Sequence, residues 1–92
     1  MLIQVNQEHI DKGVVGSVSE CPVALAVKEH SGCDRVVANP SYIMVANKGV
    51  REGVRGKFIK STVKTPSVVA SFIDNFDRYY KVEPFEFELE DI

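Results

Sequence analysis

The sequence predicts a single small α+β domain, in which a mostly antiparallel sheet of four to five strands is covered by two helices. Two observations lead to this prediction. First, two segments have the length of a helix, and one of them carries apolar residues at helical spacing while the other is apolar at nearly every position. Second, several shorter segments alternate apolar and polar residues, as strands do. Along the chain these segments follow the order β-α-β-β-β-α-β, and consecutive strands without helices between them favour antiparallel pairing.

Length and composition support the same class. The 92 residues suit one domain, residues 1–92, and a hydrophobic fraction of 45% with a charged fraction of 26% is typical of a soluble globular protein. No apolar run approaches the ~20 residues that cross a bilayer, and the N-terminus lacks the basic and apolar regions of a signal peptide. We therefore expect a cytoplasmic protein without a membrane partner.

The first elements are short. Leu2–Val5 is predicted as a strand, Gln7–Lys12 fits a helical turn, and Gly13 and Gly16 mark a loop. Two glycines at this spacing invite comparison with a phosphate-binding loop, but neither the Lys-Ser/Thr pair nor a full Gly-x-Gly-x-x-Gly motif is present. We interpret them as residues that permit a bend.

The first long helix is predicted over Cys21–His30. It is apolar nearly all round for most of its length, so we expect it to be the most buried element. Pro22 fits only the first helical turn, which leaves either Ser19 or Cys21 as the N-cap residue. Gly32 is the expected stop, because glycine readily adopts the left-handed backbone that ends many helices.

The two cysteines, Cys21 and Cys33, lie at opposite ends of this helix. A continuous helix at 1.5 Å per residue would hold their Cα atoms roughly 18 Å apart, and a disulfide requires less than about 7 Å. We therefore predict two free thiols, as in a reducing compartment. A helix N-terminus can activate Cys21 as a nucleophile, but we favour the interpretation of a small buried apolar side chain.

The centre of the chain is predicted to be β-rich. Arg35–Ala38 and Ser41–Ala46 are expected strands joined by Asn39-Pro40, and Asn47–Gly49 is an expected turn. Val54–Val63 is a longer expected strand. Its alternation is poor, which indicates either an edge strand or a bulge.

The second long helix is expected to begin at Thr65-Pro66. The threonine hydroxyl can accept from the N–H groups of the first turn, and proline suits the first helical position. A broad apolar stripe then follows at helical spacing, made of Val69, Phe72, Ile73, Phe76 and Tyr80. We expect this face to lie on the sheet, with Tyr79 or Tyr80 half-buried.

The last predicted strand is Pro84–Leu89, where apolar and acidic residues alternate strictly. Phe85, Phe87 and Leu89 should share one face, and the glutamates should share the other. Pro84 lacks a backbone donor, so it is expected at the start of the strand.

Catalysis and metal binding have little support in the sequence. Motifs such as Gly-x-Ser-x-Gly, His-Glu-x-x-His and paired Cys-x-x-Cys are absent. His30 and Cys33 are close enough in sequence to share a metal, with His9 and Cys21 as further candidates, but the spacing matches no standard zinc pattern. We therefore expect no enzyme activity, no metal and no cofactor.

A basic, glycine-rich segment between Lys48 and Lys64 is the main electrostatic feature. Its candidate binding residues are Lys48, Arg51, Arg55, Lys57 and Lys60. A hairpin with this composition could bind a phosphate backbone or a nucleotide. In the alternative interpretation these cations are solvated, or they lie near the acidic C-terminus and are neutralised by it.

Two parts of the chain resemble a group of small proteins encoded by tailed bacteriophages. The first part combines Glu8–Gly13 with the Cys-Pro-Val-Ala-Leu-Ala-Val sequence Cys21–Val27, and the second combines Phe72–Arg78 with Val82–Leu89. The basic segment departs from the pattern of that group. The resemblance implies phage origin and carries no particular activity with it.

From these observations we expect a non-enzymatic binding or accessory protein of a phage, acting through contacts with a host or phage protein in the host cytoplasm. The alternative is a nucleic-acid or nucleotide binder that uses the basic hairpin at residues 48–64. An exposed apolar patch would favour the first function, and a positive surface with exposed aromatic residues would favour the second.

Overall fold

The computed structural model describes residues 2–33, 35–47 and 59–89. Within these ranges the elements are β1 (Leu2–Val5), α1 (Gln7–Lys12), α2 (Pro22–Ser31), β2 (Arg35–Ala38), β3 (Tyr42–Asn47), β4 (Ile59–Lys64), α3 (Ser67–Asp77) and β5 (Phe85–Glu88). The α+β class is confirmed. The first part of the strand expected over 54–63, together with most of the turn expected over 47–49, lies outside the described residues.

The described strands form two antiparallel sheets, where the sequence predicted one. Strand β1 pairs with β5, so that Ile3 lies opposite Phe87, while β2, β3 and β4 form a separate meander. Helix α2 packs against both β1 and β2. The two sheets therefore meet through this helix, because each of them buries an apolar face against it.

Helix α2 is the centre of the core, as its composition predicted. Pro22, Val23, Ala24, Ala26 and Val27 are all buried. Val23, Ala24, Ala26 and Val27 share one hydrophobic cluster with residues from both sheets and from α3. Small alanine side chains let the helix approach its neighbours closely, which explains how so short a chain can bury two sheets on one helix.

The ends of α2 also follow the sequence. Cys21 is the N-cap, and its Sγ accepts from the backbone N–H of Ala24 at 3.4 Å. Ser19 is therefore excluded as the cap. Gly32 ends the helix with a φ of 75°, a conformation that costs glycine little because it has no Cβ. Gly13 is needed for a different reason: a Cβ there would lie 2.5 Å from Cδ of Pro22.

Thr65 does not cap α3, contrary to expectation. The N-cap is Pro66, and no side chain accepts a hydrogen bond from the first turn. The Thr65 hydroxyl instead donates to the carbonyl oxygen of Asn39 at 2.7 Å, and Thr65 is buried. A buried hydroxyl needs a partner, and this bond ties the start of α3 to the β2–β3 turn.

Helix α3 is also shorter than its apolar stripe predicted. Val69, Phe72 and Ile73 are buried, Phe76 is half-buried, and Tyr80 lies beyond the end of the helix with an exposed fraction of 58%. The placement of Tyr80 on the buried face was therefore wrong, because the backbone changes direction before it.

The C-terminal strand follows its alternation. Phe87 and Leu89 are buried and Phe85 is half-buried, whereas Glu86 and Glu88 are exposed. The ring of Phe85 contacts that of Phe72, with centroids 4.7 Å apart. This contact joins β5 to α3. Within residues 2–33, 35–47 and 59–89, no helix has the length and apolar character needed to cross a bilayer.

Candidate functional site

The basic segment predicted to bind phosphates falls mostly outside the described residues. The residues outside the described ranges include four of the five candidate cations, Lys48, Arg51, Arg55 and Lys57. Lys60 belongs to β4, where it lies opposite Ala46 in the strand register. A binding role for this segment therefore stays a prediction.

Cys21 has the environment of a structural thiol. Its side chain is buried, and burial raises the pKa of the thiol more than the surrounding backbone hydrogen bonds lower it. A protonated thiol is a poor nucleophile. Cys21 and Cys33 are both free, and Cys33 is half-buried.

His9 is held by both of its ring nitrogens. Asn6 is the N-cap of α1: its side chain accepts from the His9 backbone N–H at 3.3 Å, and its own backbone N–H donates to His9 Nδ1 at 3.0 Å. Because Nδ1 is an acceptor, Nε2 carries the proton and donates to Oε1 of Glu29 at 2.5 Å. The hydrogen bond from His9 is the main cause that lowers the pKa of Glu29.

This arrangement gives His9 a structural role. The buried imidazole closes the first turn of α1 and links α1 to Glu29 of α2, leaving no ring nitrogen free for a general base or a metal ligand. The sequence signal was an Asn-x-x-His spacing, which places histidine where a capping box usually has Glu or Gln. Among the described residues, no group of three or more His, Cys, Asp or Glu side chains is arranged to hold a metal ion.

A groove of about 500 Å³ lies between α1, the loop that follows it, and the connection from α3 to β5. We call it the aromatic groove and define it by its apolar lining, Ile10, Val15, Phe76, Tyr79, Tyr80 and Val82. Tyr79 and Tyr80 are exposed by 83% and 58% of their surface. The other four side chains are half-buried, so the groove has an apolar floor and two protruding tyrosines.

Tyr79 protrudes because of the way α3 ends. The backbone N–H of Tyr80 donates to the carbonyl of Asn75 at 2.9 Å, and that of Tyr79 donates to the carbonyl of Phe76 at 3.1 Å. This pair of bonds is a Schellman motif, which requires a left-handed residue after the helix. Tyr79 takes that position with a φ of 65°, where glycine or asparagine is usual.

Polar contacts fix the wall of the groove and neutralise its rim. The backbone N–H of Gly16 donates to Oδ1 of Asp77 at 3.1 Å, which ties the loop after α1 to the end of α3. Lys81 and Glu83, both on the rim, lie 4.0 Å apart as an ion pair. The groove therefore presents aromatic and aliphatic surface with little net charge.

Sequence reasoning missed this site because it extended α3 through Tyr80. Helix-ending glycine or asparagine is the usual signal for a Schellman motif, and neither stands at position 79. The available signal was the adjacent pair of tyrosines, since two neighbouring positions on a helix cannot both face the core.

Comparison of the chain with protein-family models, with curated proteins and with solved structures finds no match.

Proposed function

We propose that this chain is a small, non-enzymatic, phage-encoded binding protein that acts in the host cytoplasm through protein–protein contacts, and that the aromatic groove is its docking surface. The observation that carries the proposal is the exposure of Tyr79 and Tyr80 beside a half-buried apolar floor. The bound group is an uncharged, apolar segment of a host or phage protein.

The chemistry of the lining supports a protein ligand. Tyrosine is enriched at interface hot spots, because its ring offers a large apolar area while its hydroxyl still finds hydrogen-bond partners when water is excluded. The floor residues Ile10, Phe76 and Val82 supply apolar surface that a partner side chain can cover. Two exposed tyrosines around such a floor match the composition of an interface core more closely than that of an ordinary surface.

The backbone of Tyr79 gives a second line of support. The left-handed backbone conformation costs a residue with a Cβ roughly 1–2 kcal/mol. The side chain of Tyr79 is 83% exposed, so packing within the chain offsets little of this cost. Strained residues of this kind cluster at functional sites. We infer that Tyr79 contributes to binding rather than to folding.

The charges around the groove favour an apolar partner segment. Lys81 is paired with Glu83, and the carboxylate of Asp77 accepts from the backbone of Gly16. A strongly charged ligand would have to compete with these contacts, whereas an apolar segment would leave them in place. Side chains such as Leu or Pro on the partner would fill the groove.

Affinity purification from infected host cells tests the proposal, using tagged wild type, Tyr79→Ser and Tyr80→Ser. The matched control is Val18→Ser, which removes another exposed hydrophobic side chain, 47% exposed and outside the groove. We expect one protein to be retained by wild type and by Val18→Ser, and lost with both tyrosine variants. Titration of that purified protein should then show a dissociation constant weakened by at least roughly thirtyfold, as for a hot-spot residue.

Equal retention of the same protein by all four forms would contradict the groove as the docking surface. So would a partner lost only with Val18→Ser. Thermal unfolding of each variant is measured in parallel, so that loss of binding is not confused with loss of folding.

A further inference from the structure

The outward side of the three-stranded sheet is a second surface with its own chemistry. Cross-strand partners share a face of a sheet, and alternate residues of each strand do the same. The inward residues Val36, Ile43 and Val45 are buried. The opposite side, which we call the outer sheet face, carries Arg35, Val37, Tyr42, Met44, Ala46, Thr62 and Lys64, and among these Ala46 is buried.

This face is basic. Arg35 and Lys64 are exposed, and a cavity of about 300 Å³ at the β2 edge of the face brings Lys28 and Ser19 next to Arg35. None of the three cations forms an ion pair with any carboxylate in the described part of the chain. Their charge is therefore available to an external anion.

The other cations whose side chains the structure describes behave differently. Lys12 is paired with Glu8 at 3.0 Å and Arg78 with Asp74 at 3.3 Å, in each case within one helix turn. Lys81 is paired with Glu83 at the groove. The described cations without a carboxylate partner, Lys28, Arg35 and Lys64, thus lie on the outer sheet face or at its β2 edge, where they can attract an anion.

Tyr42 adds an aromatic platform to the same face. It is 43% exposed and lies opposite Lys64 in the register of β3 and β4. Arg35 of β2 lies opposite Ala46 of β3, and Lys64 of β4 lies opposite Tyr42 of β3. Arg35 and Lys64 are therefore offset by four residues along the strands and are separated by two strand spacings. Strand geometry then separates the positions of Arg35 and Lys64 by about 14 Å along the strands and about 10 Å across them. A ligand that uses both cations must be extended.

We propose that the outer sheet face binds single-stranded nucleic acid, with Lys28, Arg35 and Lys64 contacting backbone phosphates and Tyr42 stacking on a base. An extended polyanion satisfies the separated cations, and a base can stack on tyrosine only when it is unpaired. Duplexes present phosphates but no free base faces. The site is independent of the aromatic groove, because it is built from different elements.

The basic segment between β3 and β4, residues 48–58, contains Lys48, Arg51, Arg55 and Lys57 in sequence and is not part of the proposed site. Lys60, within β4, lies in the same register row as Ala46 and Arg35. The proposal rests on the described residues alone, and the test separates their contribution from that of the connecting segment.

The test measures binding of fluorescent single-stranded DNA and RNA, of about 12 nucleotides, by anisotropy at several salt concentrations. We expect wild type to bind with a dissociation constant of about 10⁻⁴ to 10⁻⁶ M at low salt. Replacement of Arg35→Ser together with Lys64→Ser removes two phosphate contacts. The slope of log affinity against log salt should then flatten by about 1.4, and affinity at ~50 mM salt should fall between about tenfold and about sixtyfold.

The matched control is Lys12→Ser together with Arg78→Ser, which removes the same charge at exposed positions away from the sheet. We expect this variant to keep the wild-type slope. An equal loss of affinity in the two double variants would show that binding depends on net charge alone, and it would overturn the proposed site. If the salt slope is unchanged in the Arg35 and Lys64 variant, binding occurs elsewhere, for example at residues 48–58. That result would also overturn the proposed site.

Two substitutions of Tyr42 distinguish the contribution of base stacking to affinity from that of charge. Tyr42→Ala should weaken single-strand binding by roughly tenfold without changing the salt slope, and Tyr42→Phe should restore the wild-type affinity because the ring remains. Wild-type affinity in Tyr42→Ala, tighter binding of duplex than of single strands, or no binding by wild type at ~10⁻⁴ M would each overturn the proposal.

Discussion

At the scale of single residues, Tyr79 combines an unfavourable backbone with an exposed ring. Its left-handed conformation is imposed by two hydrogen bonds that end α3, and its side chain is 83% exposed. Glycine would satisfy the same bonds without a Cβ penalty. The tyrosine is therefore a residue at which stability and binding are expected to conflict.

Tyr79→Gly should raise the free energy of unfolding by up to about 1 kcal/mol, because relief of the left-handed strain exceeds the entropy that glycine adds to the unfolded chain. The same substitution should abolish partner binding through the aromatic groove. Urea unfolding and titration with the purified partner measure the two effects. A destabilised Tyr79→Gly protein would show that the ring packs within the chain more than its exposure indicates.

Glu29 should make part of the stability dependent on pH. The hydrogen bond from His9 is the main cause that lowers the pKa of this carboxyl in the folded state. A carboxylate with a lowered folded pKa stabilises the fold above its unfolded pKa of about 4.3, and that contribution is lost as pH falls through the folded value. Glu29→Gln should therefore flatten the pH dependence of unfolding below about pH 5.

The comparison is made between wild type and Glu29→Gln in urea at a series of pH values, with Glu8→Gln as the control. Glu8 has an exposed partner, Lys12, on its own helix, and such pairs contribute little. Parallel curves for wild type and Glu29→Gln would mean that the His9 contact does not persist in solution.

At the scale of elements, α3 shows how a helix divides its stripe between core and site. Phe72 is buried and contacts Phe85 of β5, whereas Phe76, one turn later, is half-buried and lines the aromatic groove. The same amphipathic spacing thus serves packing in the first two turns of α3 and lines the aromatic groove at its end. The change occurs where the helix leaves the sheet.

Phe72→Ala should lower the free energy of unfolding by about 3–5 kcal/mol, because a fully packed ring is replaced by a cavity. Phe76→Ala should cost about half as much, because its ring is already partly in contact with water. Ser71→Ala, exposed and adjacent to Phe72 in sequence, should change stability by less than about 0.5 kcal/mol. Denaturant unfolding measures all three, and a larger cost at Phe76 than at Phe72 would reverse the assignment of the core face.

At the scale of the whole molecule, one hydrophobic cluster supports two separate surfaces. Residues of α2, α3 and both sheets belong to that cluster. The aromatic groove is formed by α1, the loop after it, the end of α3 and the connection from α3 to β5, whereas the outer sheet face is formed by β2, β3 and β4. Because different elements form them, substitutions in one surface should leave the other intact.

The cysteines report on this shared core. Cys21 is 2% exposed and belongs to the cluster, whereas Cys33 is half-buried at its border. A thiol reagent should modify Cys33 in the native protein and Cys21 at least about one-hundredfold more slowly, since Cys21 is reached only when the core opens. Cys33→Ser isolates the slow reaction. Rapid native modification of Cys21 in that variant would show that the core is loosely packed.

Several elements were predictable because the signals that define them are local. The bounds of β1 and β2 agree with the sequence prediction, and the alternation of β5 placed its buried and exposed residues correctly. Side chains repeat every two residues in a strand and every 3.6 in a helix, so burial on one face leaves a pattern in the sequence. The burial of α2 was predictable from a different local signal, because this helix is apolar nearly all round.

The candidate site was not predictable in the same way. Tyr80 fits the apolar spacing of α3, yet the hydrogen bonds that turn the chain at Tyr79 place it in the groove. Thr65 has the character of a helix cap, yet its hydroxyl binds Asn39, far away in sequence. In both cases the local sequence is compatible with more than one conformation, and contacts in the folded structure determine which conformation is adopted.

The sequence by itself therefore determined the α+β class, the buried helix and the alternating strands, since each depends on spacing within a few residues. Tertiary structure alone decided that β1 pairs with β5, that the strands divide into two sheets, and that Arg35, Tyr42 and Lys64 share one face. Pairing between segments at opposite ends of the chain depends on which apolar faces can be buried together. That is a property of the assembled core, and no single segment encodes it.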